Sequence, residues 1–156
     1  RKSAMSSPLV DLLVREHAAI GEFLELLAQE SDAMTQGEFK RLPGLAERKS
    51  QLAEQIALIG RQREMEQQAL GYAPGRNGCD AAAMAGGETL QTAWSNLLAR
   101  AAQAHECNHR NGVMIHTHLD YTRQSINFLK ASGQPLYGPD GTHKAGSSSG
   151  SRFAVG

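Results

Sequence analysis

The sequence predicts an all-α protein: an elongated antiparallel three-helix bundle with a long third helix and a flexible C-terminal tail. Three observations predict it. Aromatic residues make up only 5% of the 156 residues and strand-favouring types are scarce, while Ala, Leu, Gln and Glu dominate. Apolar residues recur in threes and fours over three long stretches, the helical period. Between those stretches lie Gly- and Pro-containing breaks.

The first helix spans about 7–34. Ser7 is its expected N-cap, and Pro8 sits at the first helical position, where a missing N–H costs nothing. Leu9, Leu13, Ile20, Phe23, Leu24, Leu27 and Met34 form its apolar stripe, and Glu16, Glu22 and Glu30 fall off centre or at the edge. Gly37 and Pro43-Gly44 break the pattern, with one loose turn expected over Glu38–Leu42. The second helix spans about 45–70, with Leu45, Leu52, Ile56, Ile59 and Leu70 as its stripe and Gly71 and Pro74 as stop signals. Gly71 to Gly87 reads as a loose Gly- and Ala-rich connection, which leaves Cys79 open to oxidation.

The third helix spans about 88–131, with Trp94, Leu97, Leu98, Ala101, Ile115, Leu119, Ile126 and Leu129 on its apolar face. At 1.5 Å per residue it runs to about 66 Å, against about 40 Å for each of the others, so it must outrun them or bend at Gly112. Residues 1–6 are expected to be disordered, with Met5 an alternative start. Residues 134–156 change composition, with Pro, Gly and a Ser-Gly run. Such a segment buries too little to order itself, so it reads as a mobile binding arm that ends in the apolar hooks Phe153 and Val155.

Sixteen basic residues balance sixteen acidic ones, which argues against a phosphate-binding surface and so against nucleic acid. No apolar run approaches the length of a membrane span, and no signal-type segment follows the start. Two cysteines are too few for a disulfide scaffold, so a cytoplasmic location is expected. There is no Walker loop, no GxGxxG after a strand and no GxSxG elbow. Neither a cofactor nor catalysis is expected.

The histidines test that expectation hardest. His105-Glu106-Cys107-Asn108-His109 matches HExxH, and His116 and His118 follow. At 100° per residue, His105, His109 and His116 fall on one flank of the stripe, and Cys107 and His118 on the other. Only His105 and His109 can share an ion, and a zinc enzyme using them with Glu106 would need a third ligand and a pocket. Solvated, flanking histidines are the simpler reading, and Cys107 reads as an ordinary helix residue. His17 reads as half-buried at the edge of the first stripe.

Asn108, Asn111 and Gly112 interrupt the third stripe where Leu or Ile would be expected. Glycine within a helix costs about 1 kcal/mol against alanine, so close helix–helix approach at Gly112, or a groove for a partner helix, is expected there. Leu136-Tyr137-Gly138-Pro139-Asp140-Gly141 is a turn sequence bearing an apolar anchor and a ring, suited to linear docking.

The order Asn108-x-x-Asn111-Gly112, then Leu136-Tyr137-Gly-Pro-Asp-Gly141, resembles the FlgN family of flagellar type III export chaperones. The second helix fits too, with Glu47-Arg-Lys49 early and Arg61 to Arg63 before Leu70-Gly71. The resemblance covers about Leu9 to Gly141. It implies a cytoplasmic chaperone for the hook-associated subunits at the hook–filament junction. Such a chaperone keeps their terminal helices from assembling early and delivers them to the export gate. The family's tyrosine turn docks to the cytoplasmic domain of that gate and corresponds here to Leu136, Tyr137, Gly138, Asp140 and Gly141. The subunit would engage the arm, through Tyr137, Phe153 and Val155. The alternatives are a structural coiled-coil adaptor and the zinc-dependent enzyme.

Overall fold

The computed structural model describes residues 7–133. The expectations for 1–6 and for the arm at 134–156 lie outside the described residues. The described residues are all-α, with four helices among them: α1 (Pro8–Gln36), α2 (Leu42–Ala69), α3 (Arg76–Ala85) and α4 (Glu88–Ala131), and a short 3-10 turn at Phe39–Arg41. It divides into two compact units, one ending at Asn108 and the other beginning at His109.

Helix α1 starts as its sequence dictates. Ser7 is extended and its side chain accepts from the Val10 N–H, with Pro8 next. It ends two residues later than the stripe suggests. Gly37 adopts φ 75°, so its N–H reaches Ala33 and Met34, and the Glu38 N–H returns 2.8 Å to the Ala33 carbonyl. Helix α2 begins at Leu42, earlier than expected, because Pro43 and Gly44 fall in its first turn, where proline surrenders only an unused donor.

The three-helix expectation is corrected by α3, which forms within the supposed loose connection. Ten residues are too few to be helical alone, so packing decides the matter. Cys79, Ala82 and Ala83, at spacings of three and one, present a buried face of small side chains. A Cβ at Gly78 would run into the Ala73 carbonyl, so only glycine admits this close turn into α3. Cys79 is fully buried, which overturns the expectation of an oxidation-prone loop cysteine.

Two apolar clusters hold the first unit. One joins Leu9, Val10, Leu13 and Ile20 of α1 to Cys79, Ala82 and Ala83 of α3 and to Leu90, Trp94, Leu97 and Ala104 of α4. The other joins Ala19, Leu26 and Ala33 of α1 to Leu45, Leu52 and Ile59 of α2. Phe23 and Ile56 touch both. Each fully buried leucine, such as Leu9, Leu13 and Leu27, contributes about 1.5–3 kcal/mol relative to exposure.

Three further expectations change. Glu16 and Glu30 are not marginal but buried, at 7% and 3% exposure. Helix α4 passes through Gly112 without interruption, and a Cβ built there meets no described atom within 4 Å. Close approach at Gly112 is therefore incorrect. Ile126 and Leu129, assigned to the buried stripe, are exposed at 42% and 39%. Helices α1 and α2, at 29 and 28 residues, cannot line all 44 residues of α4.

Candidate functional site

The residues of the sequence signature become connected through a lysine. Lys49, in the first half of α2, donates to Glu30 of α1 at 3.1 and 3.3 Å and to Asn108 of α4 at 2.8 Å. Its ammonium also lies 5.9 Å from the Phe23 ring centre. Three helices thus meet at one ammonium, whose three donors suit three acceptor oxygens. Glu30 is almost wholly buried, and a buried carboxylate demands such a partner. Asn108 itself is exposed and serves through its acceptor oxygen. Asn111 is buried at 5% exposure, and Gly112 faces open space.

A second polar knot lies among α1, α2, α3 and α4, and sequence reasoning missed it. Arg63 donates to Glu16 through Nε at 2.7 Å and Nη2 at 3.3 Å, a bidentate pair, and through Nη1 to Gln67 at 2.8 Å. Gln67, fully buried, passes its amide to the Ala73 and Gly75 carbonyls at 2.7 and 3.1 Å, and so ties down the turn into α3. Trp94 lies under the Arg63 guanidinium at 5.6 Å and donates its indole N–H to Asp80 at 2.7 Å. Burial works against the Arg63 cation, but the hydrogen bond and charge of Glu16 prevail and raise its pKa. Burial pushes the Cys79 thiol up to about 11, so it is protonated at neutral pH. The available sequence signal was the lone tryptophan, whose indole N–H requires a partner when buried.

Among the described residues the histidines do not converge on one site. His105, His109 and His116 are exposed and His118 is half-buried. Among the described residues, no group of three or more His, Cys, Asp or Glu could hold a metal ion. His17 is half-buried as expected. Burial, then the Arg100 cation that donates to its carbonyl at 3.3 Å, hold its imidazole below the ordinary value. No helix among the described residues is long and apolar enough to cross a membrane.

Half of the exposed large apolar side chains among the described residues lie in the second unit. Val113, Met114, Tyr121, Ile126, Phe128 and Leu129 of α4 are all exposed, Tyr121 at 68% and Phe128 at 70%. Leu136, Tyr137, Gly138, Asp140, Gly141, Phe153 and Val155, expected to dock the gate and the subunit, lie outside the described residues.

Helices tied together by paired internal polar groups, with no strand among the described residues, define a class: an all-helical protein. The comparisons narrow it. Residues 5–145 match the family described as FlgN protein, so the chain belongs to the FlgN family. It is similar to the flagella synthesis protein FlgN of Yersinia enterocolitica, with 26% identity over 146 residues, covering 87% of this chain and 94% of the relative. No solved structure matches.

Proposed function

We propose that this protein is a cytoplasmic export chaperone. It binds hook-associated subunits of the hook–filament junction, prevents their premature assembly and delivers them to the export gate. The observation that carries this reading is the exposed apolar face of α4 made by Met114, Tyr121 and Phe128, in a chain of the FlgN family. A patch of this kind on a water-facing helix marks a protein-binding surface. An amphipathic subunit helix can cover it, with affinity and release set by competing protein contacts rather than by nucleotide chemistry.

The frame we propose for it is an antiparallel bundle. Two ion pairs support this: Glu30, late in α1, meets Lys49, early in α2, whereas Glu16, early in α1, meets Arg63, late in α2. The turn at Leu136–Gly141 docks to the cytoplasmic domain of the gate, with Tyr137 as its anchor. The arm, through Tyr137, Phe153 and Val155, engages the subunit.

Titration calorimetry against each hook-associated subunit tests the reading, with the full chain and a truncation ending at Gly133. Saturable binding by the full chain is expected. Loss of binding in the truncation assigns the contact to the arm, and retention assigns it to the helices. Absence of binding by the full chain to either subunit overturns the proposal and leaves the coiled-coil adaptor.

A further inference from the structure

Met114, Tyr121 and Phe128 stand seven residues apart on α4 and are exposed at 36%, 68% and 70%. Seven residues fall about 20° short of two full turns of an α-helix, so the three side chains form one gently winding rib. The positions flanking this rib are Thr117, His118, Gln124 and Ser125, while Asp120, Arg123 and Lys130 project from other sides of the helix. Asp120 and Arg123 are occupied with each other at 3.5 Å.

We propose that this rib pairs with the same rib of a second copy of the chain, antiparallel, about a two-fold axis at Tyr121. The arrangement is self-complementary at every step. Tyr121 meets Tyr121 of the second copy, an aromatic pair. Met114 meets Phe128, a thioether against a ring, and the axis repeats that contact at the other end. Thr117 comes opposite Ser125, so the two hydroxyls can exchange a hydrogen bond. No acidic or basic side chain is brought against its like.

A left-handed crossing of about 20° follows the drift of the rib and keeps all three layers in contact. The rib is only about 21 Å long from Met114 to Phe128, which makes a small interface and a reversible dimer. A zero net charge removes the long-range repulsion that would oppose it. This inference does not depend on the chaperone reading: a dimer without subunit binding, or subunit binding by a strict monomer, would separate the two.

Sedimentation velocity of the full chain over micromolar to millimolar concentration tests the proposal. The expected result is a concentration-dependent shift from monomer to dimer. Tyr121→Ala should weaken dimerisation by at least about tenfold, roughly 1.4 kcal/mol, with unchanged helicity by circular dichroism. Cysteine cross-linking in a Cys107→Ser background reports the geometry. Tyr121→Cys should form an interchain disulfide under mild oxidation. Met114→Cys should cross-link when mixed with Phe128→Cys but not alone. A full chain that stays monomeric throughout overturns the proposal, including the case in which deleting 134–156 then induces dimerisation, because the arm would be the occupant. A dimer in which Met114→Cys cross-links with itself also overturns it, because the pairing would be parallel.

Discussion

Arg63 shows how one side chain can hold several helices in register. Its guanidinium spans Glu16 and Gln67 and covers Trp94, and Gln67 and Trp94 in turn reach the connection and Asp80. Removing it strands a nearly buried carboxylate, so Arg63→Ala should cost about 3 kcal/mol in urea unfolding. Asn108→Ala deletes one exposed acceptor and leaves Glu30 paired with Lys49, so a loss of about 1 kcal/mol is expected. Gly112→Ala works in the opposite direction. Nothing in the described structure crowds Gly112, so alanine should raise stability by about 1 kcal/mol through helix propensity. If Gly112→Ala also weakened subunit binding, the glycine would serve a partner rather than the fold. His17 supplies a pH dependence. Its pKa lies below 6.5 in the folded chain, so the unfolded chain binds the extra proton first. Its stabilising contribution is complete above about pH 6.5 and is lost as the pH falls through that value. His17→Gln should flatten that part of a stability-against-pH curve measured by denaturant melts.

Among the elements, α3 is the one that sequence reasoning lost, α4 the one whose extent it read best, and α1 the one whose caps it read best. Ser7, Pro8 and Gly37 are local signals, each acting through the backbone of its own turn, and all three act as their residue types predict. Helix α3 has no comparable signal: ten residues rich in Gly and Ala look like a linker until Leu9, Leu13 and Trp94 cover Cys79, Ala82 and Ala83. The constraint at Gly78 is equally nonlocal in effect. Gly78→Val should displace α3 from the core and expose Cys79. Thiol labelling checks this: in the parent chain Cys79 should resist alkylation, being buried with a pKa of about 11, and in the variant it should react upon loss of burial. Equal protection in both chains would contradict the assigned contact with Ala73.

At the scale of the whole molecule, the packed core and the exposed rib occupy different parts of the chain. The apolar clusters and both polar knots lie at or before Asn108, whereas the exposed rib lies beyond Gly112. Tyr137→Ala should therefore leave helicity and melting unchanged and weaken docking to the export-gate domain, measured by calorimetry; equal docking by both chains would remove Tyr137 from that role. The sequence by itself determined the all-α class, the cap and stop of α1, the full extent of α4 and membership of the FlgN family, because periodicity, capping and motif order are properties of neighbouring residues. Only the tertiary structure decided that Glu16 and Glu30 are buried, that Lys49 unites Glu30 with Asn108, that α3 exists, and that Ile126 and Leu129 face water. Each of these depends on which helix lies opposite a given face and for how far, and a helical period states only that a face is apolar, not whether anything is there to cover it.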